Sequence, residues 1–393
     1  WGWLKGQARA LAGKPYQAPA ARAVNAADYD QSVRLTYGEA ERLAGAVRLF
    51  PTTRNVAENV VAIHLVEQGK ARRVESTAGL FVGGQAADPA GFRIMQDTAG
   101  ASDWLAFLGG TYFRSPGVGG QYGLSARAIA VNIGLQQAEE FPAFTQFWIE
   151  RLGRDAWRIH GLIDGPSLTG AFALDSALRD WGVEQQVQLA LFLRKDVARL
   201  GIAPITSMYW YDQNGAGGRP DWRPEIHDSD GLAIAMANGE HVWRPLINPQ
   251  RAQVNAFQAG SVRGFGLLQR DRDFANYRDD SAFYDRRPNL WVEPQGDWGP
   301  GAVMLYEMPT AGETQDNIGA YWVSTRPARK GSTVETAYRL RWMMGEPGGT
   351  ASARLVDQFV GPAGIPGAPP TAGAHKYVFD FLAVGGWVGQ SWK

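Results

Sequence analysis

Apolar and polar residues alternate along much of the chain. One apolar stripe runs from Val183 to Leu193, and similar stripes run through Thr336–Trp342 and Tyr377–Phe381. Side chains two residues apart lie on the same face of a β-strand, so each stripe marks the buried side of one. Gly, Pro, Asn and Asp separate these short runs, which favours an antiparallel sandwich over a βαβ protein. The pattern predicts an all-β fold.

The first residues follow a helical period instead. The segment Trp3–Leu11 places Trp3, Leu4, Ala8 and Leu11 on one helical face. Glycine at position 13, followed two residues later by proline, is a typical end of a helix. We therefore expect one amphipathic helix ahead of the first strands.

A domain boundary is predicted at Arg326–Ser332, where RPARKGS is polar, basic and contains both Pro and Gly. Residues 1–325 would form the large domain, 326–332 the linker and 333–393 a second β domain. Only about 60 residues follow the break, whereas an immunoglobulin-like sandwich needs about 100. The second domain is therefore expected to be minimal or cut short.

Composition adds a preference for neutral ligands. The chain has 15 Trp, whose flat apolar faces and edge donors suit sugars, although β-rich cores also bury Trp. A net charge of zero gives no electrostatic reason to expect nucleic acid. The apolar runs are too short to span a bilayer, so no stable membrane insertion is expected. Because the chain has no Cys, disulfides, thiolate nucleophiles and Cys-bound metals are excluded.

Neither a cofactor nor a metal is predicted. The glycine-rich segment Gly117–Gly123 lacks the parallel strand, the helix and the downstream acid of a dinucleotide fingerprint, and is interpreted as a loop. No two of the five His have metal-ligand spacing, and no HExxH motif occurs. Structural or substrate-orienting roles are expected for these His, and a Ser-His-Asp triad stays an open alternative.

Candidate chemistry concentrates in Ser207–Trp322, where carboxylates are interleaved with Trp. The carboxylates are Asp228, Asp230, Glu293, Asp297, Glu313 and Asp316, and the Trp are Trp210, Trp222, Trp243, Trp291 and Trp298. Cleavage of a glycosidic bond needs one carboxylic acid to protonate the leaving oxygen and a second group to supply or activate the nucleophile. A single Asp in a polar loop more often caps a turn, so the composition does not indicate which two react.

Seven long segments carry a specific resemblance. They are GTYFRSPGVGGQYGLSARAIAVN (Gly110–Asn132), EEFPAFTQFWIER (Glu139–Arg151), DWRPEIHDSDGL (Asp221–Leu232), VWRPLINP (Val242–Pro249), FGLLQRDRDF (Phe265–Phe274), RRPNLWVEPQGDWGPG (Arg286–Gly301) and MPTAGETQDNIGAYW (Met308–Trp322). In these segments the chain resembles the periplasmic glucans biosynthesis family, OpgG and OpgD (MdoG). The resemblance extends from the N-terminal helix to about Trp322 and is weak beyond Ser332.

The resemblance implies a large N-terminal β-sandwich with a long cleft, followed by a short or truncated immunoglobulin-like domain. Family members act in the periplasm on osmoregulated glucans with a β-1,2-glucose backbone. Some are inverting endo-β-1,2-glucanases, and at least one relative transfers the glucan end to itself and cyclises it. A β-1,2-glucan oligosaccharide is therefore the expected partner, and the oligomeric state, including a homodimer, stays open. The chain starts without Met and is interpreted as a mature or trimmed form.

The resemblance also assigns roles to single residues. The family's acid is the Asp of its ETxDN motif, which is Asp316 here, and its base is the Asp of HDSxGL, which is Asp228. A Tyr on the proton path corresponds to Tyr284. Gln315 departs from the Asn that is common in the family. Further residues are expected to bind substrate: Trp210, His227, Trp243, Arg244, Trp291, Glu313 and Asn317.

An inverting pair leaves room for water, with carboxyls about 6.5–9.5 Å apart, and a relay through Tyr284 would permit a longer gap. The leading hypothesis is an inverting glycoside hydrolase. A transglycosylase or cyclising enzyme would share the site and differ only in the acceptor. The alternative from another class is a non-catalytic glucan-binding partner of a membrane glucosyltransferase.

Overall fold

The computed structural model describes residues 1–18, 29–54, 57–96, 102–215, 221–347, 353–365, 367–369 and 371–383. About half of the structure is strand (49%) and little of it is helix (9%). The helices are α1 (Gly2–Ala12), α2 (Tyr29–Thr36) and the single turn α3 (Phe274–Tyr277). None of these helices has the length and apolar character needed to cross a membrane.

Twenty-five strands follow one another in the described ranges. They are β1 (Val47–Pro51), β2 (Ala62–Glu67), β3 (Lys70–Arg73), β4 (Pro89–Met95), β5 (Asp103–Leu108), β6 (Tyr112–Arg114), β7 (Ser125–Arg127), β8 (Ile129–Val131), β9 (Ala143–Gly153), β10 (Ala156–Asp164), β11 (Leu168–Arg179), β12 (Gly182–Leu193), β13 (Leu200–Ser207), β14 (Tyr209–Tyr211), β15 (Ile226–His227), β16 (Gly231–Met236), β17 (His241–Pro245), β18 (Gln253–Ala259), β19 (Val262–Leu268), β20 (Asn289–Gln295), β21 (Gly301–Glu307), β22 (Ile318–Ser324), β23 (Thr333–Met343), β24 (Ala353–Pro362) and β25 (His375–Ala383).

Most strands belong to two large sheets. The smaller sheet has ten strands in the order β1-β4-β5-β6-β7-β13-β22-β21-β18, with β8 paired to β13. The larger sheet has eleven, in the order β17-β16-β19-β20-β23-β12-β11-β10-β9-β2-β3. Neighbouring strands in both sheets are antiparallel, except that β2 and β9 are parallel. The pairs β14-β15 and β24-β25 form two separate small sheets.

The two large sheets pack face to face around one apolar core. Phe92, Phe107 and Phe113 of the smaller sheet meet Phe147 and Phe172 of the larger one, with ring centroids 5.1–6.3 Å apart. Burying each of these side chains contributes about 1.5–3 kcal/mol relative to leaving it in water. The predicted all-β sandwich is confirmed.

The predicted N-terminal helix is confirmed as α1. Its apolar residues Leu4 and Ala8 are buried, and they pack on the outer face of the larger sheet against Ala171, Ala190 and Phe192. A helix with one apolar stripe needs such a surface, because the stripe would otherwise face water. The helix therefore covers one side of the sandwich, away from the core.

The predicted boundary at Arg326–Ser332 is wrong. Strand Thr333–Met343, expected to open a second domain, lies in the middle of the larger sheet between β12 and β20. The segment 326–332 is the connection from β22 to β23, and Ala328 O accepts a hydrogen bond from Val197 N at 2.9 Å. Pro and Gly mark a turn within a domain as readily as a linker, so composition alone misplaced the boundary.

The sandwich therefore extends at least to Met343. Beyond it, β24 and β25 pair with each other and with no other strand in the described part of the chain. Tyr377 and Phe379 of the predicted stripe lie on β25 with their rings stacked 6.3 Å apart. An immunoglobulin-like domain in this region stays a prediction.

Candidate active site

The outer face of the smaller sheet carries polar and cationic side chains near its centre. On β6 the core residue is Phe113, so its neighbours Tyr112 and Arg114 point to the other face of the sheet. On β7 the same alternation turns Ser125 and Arg127 outward. Strands β6, β7 and β13 are adjacent, and they bring these side chains together although the sequence separates them.

Asp316 lies on this face, just before β22 begins. Thr206 Oγ1 donates a hydrogen bond to Asp316 Oδ2 at 3.2 Å, and the same hydroxyl is hydrogen-bonded to Ser125. The Asp316 side chain is exposed to solvent, yet the surrounding protein desolvates it and raises its pKa, while Thr206, Arg127 and Arg114 oppose this rise. A carboxyl that is both accessible and more easily protonated is suited to donate a proton.

Asp228 directly follows β15 and is only 2% exposed. Its backbone N–H donates to Met208 O at 2.8 Å, and its carboxylate accepts a hydrogen bond from Arg287 Nη1. Burial raises the pKa of Asp228 to about 6, Arg287 opposes the rise, and the charge of Asp316 adds to it. Asp228 and Asp316 therefore interact electrostatically, and ionisation of Asp316 raises the pKa of Asp228.

Tyr284 is the third residue with a predicted catalytic role, and it opens the 3-10 turn Tyr284–Arg286. Its hydroxyl donates a hydrogen bond to Glu313 Oε2, and the guanidinium of Arg287 lies 4.1 Å from its ring centroid. Burial and the hydrogen bond to Glu313 raise the pKa of Tyr284, and the charge of Asp228 contributes to the rise. The phenol is therefore neutral at physiological pH and lies beside the ion pair of Asp228.

Glu313 is held by a bidentate contact. Arg223 Nη1 donates to Glu313 Oε2 at 2.8 Å and Nη2 donates to Oε1 at 3.1 Å. The same guanidinium also donates to Asp279 at 2.6 Å and to Asp221 at 2.8 Å. Burial favours a neutral Glu313, but the hydrogen bonds from Arg223 and Tyr284 outweigh it and lower the pKa of Glu313. Glu313 is therefore an ionised acceptor fixed at the hydroxyl of Tyr284.

His227 is behind the site rather than in it. It is 1% exposed, and its ring nitrogens contact Gln269 Oε1 at 3.0 Å and Glu225 Oε2 at 3.2 Å. Burial alone would lower the pKa of His227, but Glu225 and Asp230 raise it to about 10. Both ring nitrogens of His227 are thus engaged by protein, and a direct contact of His227 with substrate stays a prediction. Its contacts with protein fix the position of His227, the residue that precedes Asp228.

Asn317 also has its polar atoms engaged by protein. Its Oδ1 accepts from Tyr209 N at 2.8 Å, and its Nδ2 donates to Tyr209 O at 3.0 Å and Met308 O at 2.8 Å. The side chain is fully buried. Asn317 therefore fixes the backbone immediately after Asp316, and its contact with substrate stays a prediction.

Trp243 and Trp291 lie on the opposite side of the sandwich from Asp316. Both pack on the outer face of the larger sheet, where Trp291 is 6% exposed and Arg270 lies 3.4 Å from the Trp243 ring centroid. A Cβ at Gly264 would come within 2.5 Å of the Trp291 indole, so glycine is required beneath that ring. The structure does not bring these two indoles together with Asp316, and their role in substrate binding stays a prediction.

Arg244 is ion-paired with a buried carboxylate, Trp210 is partly buried, and Trp222 is exposed to solvent. Arg244 Nη2 donates to the fully buried Glu307 at 2.8 Å. Trp210 is partly buried, with its ring centroid 5.1 Å from that of Tyr211, and it packs against the apolar cluster that includes Tyr284. Trp222, which was not selected as a binding residue, is 73% exposed, and Arg223 lies 5.2 Å from its ring centroid. Trp222 is thus an accessible aromatic face next to the Arg223–Glu313 pair.

Sequence reasoning missed the arginines that organise the carboxylates. Arg287 follows Tyr284 by three positions, inside the RRP motif, and this proximity could have indicated a role for it. Arg114 and Arg127 lie within the first segment that carries the family resemblance. Arg223 lies within DWRPEIHDSDGL, the segment that also contains Asp228, and this proximity could have indicated a role for it.

Some solved structures show a distant likeness to this chain. A GH36 alpha-galactosidase, AgaA from Geobacillus stearothermophilus, aligns with 55% of this chain and 30% of its own at 9% identity and a TM-score of 0.31. A galactose mutarotase related enzyme from Lactobacillus acidophilus aligns with 64% of this chain and 94% of its own at 9% identity and a TM-score of 0.27. Likenesses this low support no argument about the site.

Comparison of sequences is decisive. The family described as "Periplasmic glucan biosynthesis protein, MdoG" matches residues 1–387. Glucans biosynthesis protein D 2 of Ralstonia nicotianae is 42% identical over 95% of this chain and 75% of its own length. Glucans biosynthesis protein D 1 of the same organism is 40% identical over 99% of this chain and 78% of its own. The chain therefore belongs to the periplasmic glucan biosynthesis (MdoG) family, as the resemblance predicted.

Proposed function

We propose that this chain is a periplasmic glycoside hydrolase that cleaves β-1,2-glucan with inversion, with Asp316 as the general acid and Asp228 as the general base. One observation carries the proposal: an accessible carboxyl with a raised pKa interacts electrostatically with a buried, arginine-bound carboxylate. Two carboxyl groups in unlike environments are what acid and base roles require. The periplasm comes from the family description and the glucan from relatives named for glucans biosynthesis, whereas the β-1,2 linkage comes from the family resemblance alone.

Asp316 acts on the leaving group in this proposal. It donates its proton to the glycosidic oxygen while the bond from the anomeric carbon to that oxygen breaks. Its exposure on the sheet face allows a substrate to reach it, and the Thr206 hydroxyl fixes the orientation of its carboxyl group. The leaving chain departs with the proton as a new hydroxyl group.

Asp228 receives the proton of the attacking water. Water forms the new bond to the anomeric carbon from the opposite side of the sugar, and its proton passes to Asp228 as the bond forms. Since Asp228 is buried, the proton has to travel through an intermediate group, and Tyr284 is neutral and adjacent to the Asp228–Arg287 pair. Transfer requires the Tyr284 hydroxyl to exchange its hydrogen bond to Glu313 for one that leads toward Asp228.

The aromatic residues near this cluster support a carbohydrate as the ligand. Trp222 offers an exposed indole face, and Trp210 packs against the tyrosines beside it. Flat aromatic faces stack on the apolar faces of sugars, while hydroxyl groups bind the surrounding Arg and carboxylates. A neutral β-glucan chain is suited to such a surface.

Product analysis tests the proposed function. The protein and its Asp316→Asn variant are incubated with linear β-1,2-glucan, and product size and ring closure are followed by mass spectrometry. We expect shorter linear chains from the wild type and almost none from the variant. Cyclic products would show that the enzyme transfers the glucan to a sugar hydroxyl instead of hydrolysing it. Bound but unchanged glucan would identify a binding protein.

A further inference from the structure

A cavity of about 830 Å³ opens at one end of the sandwich, between the two large sheets. The smaller sheet contributes Leu200, Ile202 and Trp322, which belong to the apolar core. The larger sheet contributes Val334 and Thr336 of β23. The volume of this end cavity is within the range of sites that bind small ligands, about 300–1,000 Å³.

The end cavity is remote from Asp316. Asp316 precedes β22, whereas Trp322–Thr325 at the far end of the same strand line the cavity. Strand β22 has seven residues, which span about 20 Å. Strand β13 shows the same separation, because Thr206 near its end contacts Asp316 and Leu200 at its start lines the cavity. The end cavity is therefore separate from the candidate active site.

Trp298 forms an aromatic wall of the end cavity. Its ring centroid lies 6.2 Å from that of Trp322 and 5.9 Å from that of Tyr338, so it packs on the apolar core at this end. Trp298 Nε1 donates a hydrogen bond to Ala337 O at 3.2 Å, and the side chain is only partly buried. The indole is thus anchored at its edge, while part of its surface faces the cavity.

Polar atoms without a protein partner lie close to this indole. Trp322 Nε1, Thr336 Oγ1 and Tyr338 Oη are buried, and none has a hydrogen-bond partner in the described part of the chain. Trp322 and Tyr338 are 1% and 0% exposed. Buried polar groups are normally hydrogen-bonded, and leaving one unsatisfied is costly. Three such atoms in one place indicate that hydroxyl groups, of water or of a ligand, satisfy the inner end of the cavity.

Polar side chains form the rim of the end cavity. Asp297 and Arg326 contribute to the rim, and both are exposed. Asp196 and Arg329 pair at 3.1 Å beside them, which holds the connection 326–332 in place. The rim therefore carries charges of both signs. An aromatic face beside polar groups of both signs suits a neutral sugar.

We propose that the end cavity is a second binding site for the glucan chain, in which the face of Trp298 stacks on a glucose unit and the rim binds its hydroxyl groups. The inference takes its ligand, a neutral β-1,2-glucan, from the proposed function. A chain held at this site stays at a high local concentration near the same protein, so its binding at Asp316 is favoured. The end cavity itself takes no part in bond cleavage.

Hydrogen–deuterium exchange of the Asp316→Asn variant tests the inference without turnover. Backbone exchange is measured with and without a saturating linear β-1,2-gluco-oligosaccharide. We expect slower exchange in two separate regions, one around Thr206 and position 316 and the other in the connection 326–332. Protection of the first region alone overturns the inference and leaves the proposed function standing. Protection of 326–332 alone supports the inference and contradicts the proposed function, and no protection in either region overturns both.

Variants then assign the second protected region to the end cavity. Trp298→Leu should remove the protection of 326–332, and so should the double variant Asp297→Ala with Arg326→Ala, whose exposed side chains are replaced without disturbing the core. Trp181→Ala is the matched control, because its indole is 42% exposed at the opposite end of β12 from the cavity. If the double variant keeps the full protection of 326–332, the inference is overturned.

Kinetics of the otherwise wild-type protein give a readout that a structural defect would not reproduce. The double variant Asp297→Ala with Arg326→Ala should raise KM for long glucan several-fold and leave kcat unchanged, because only the local concentration of the chain is lost. Oligosaccharides too short to reach from the end cavity to Asp316 should be cleaved as by the wild type. An equal loss of activity on long and short substrates overturns the inference.

Discussion

Asp228 has Arg287 as its ion-pair partner, and the same guanidinium lies 4.1 Å from the ring centroid of Tyr284. One cation thus stabilises the charged form of the proposed base and packs on the residue of the proposed proton path. Because Asp228 is buried, loss of that cation would leave its charge without a partner. Arg287 therefore links the protonation of Asp228 to the position of Tyr284.

Replacing Arg287 should shift the pH dependence of activity. In Arg287→Gln, the pKa of Asp228 rises above its present value of about 6, so the base becomes competent only at higher pH. We expect the acidic limb of the kcat/KM profile to move upward in pH. Arg286→Gln is the matched control, because Arg286 is adjacent and its side chain is 57% exposed. An unchanged limb in Arg287→Gln would argue against Asp228 as the base.

The wild-type profile makes a related prediction. Activity requires ionised Asp228, so kcat/KM should rise with pH through about 6, where burial places the pKa of this group. The sign follows from the role, since a base works only after it has lost its proton. Initial rates on β-1,2-glucan between pH 4 and pH 8 would check it. A profile that falls steadily across this interval is inconsistent with a base of this pKa.

Asp316→Asn should abolish turnover while the fold stays intact. The leaving oxygen loses its proton donor, and the loss of a general acid or base typically costs about 10²–10⁴-fold in rate. Asn keeps the size of the side chain and can still accept a hydrogen bond from Thr206. Reducing-end release measures the rate, and thermal unfolding measures the fold. Nearly full activity in this variant would show that another group is the acid.

Two tryptophans separate binding from stability. Trp222→Ala should weaken oligosaccharide binding several-fold with little change in unfolding, because its side chain is 73% exposed. Trp291→Ala should leave binding unchanged and cost about 3–5 kcal/mol of unfolding free energy, since that indole is packed over Gly264. Calorimetry with the oligosaccharide and urea unfolding measure the two effects. The reverse result would place Trp291 in the binding site.

The strand pattern made much of the fold predictable. In Val183–Leu193 and Thr336–Trp342, residues two apart on one face of each strand meet a continuous apolar core, while α1 covers Ala190 and Phe192 on the other face of β12. The domain boundary was not predictable, because RPARKGS is equally suitable for a loop between two strands of one domain. Only the long-range pairing of β23 with β12 and β20 distinguishes the two cases.

Sequence motifs were sufficient to select the candidate catalytic carboxylates. They were not sufficient to predict the direction in which neighbouring side chains point. Family motifs selected Asp228 and Asp316, and the charge of Asp316 acts on the pKa of Asp228 although the two carboxyl groups differ in burial. The same motifs selected His227 and Asn317, which are adjacent to them in sequence but have their polar atoms turned inward. Adjacent residues face different directions, and sequence alone does not reveal which direction reaches solvent.

The anomeric form of the first product tests the central claim most directly. Linear β-1,2-glucan is digested in an NMR tube, and the new reducing ends are observed before they mutarotate. Inversion by Asp316 and Asp228 predicts that the α-anomer appears first and then relaxes toward the equilibrium mixture. If the β-anomer appears first, the reaction proceeds with retention, and the assignment of an acid and a base that activates water is contradicted.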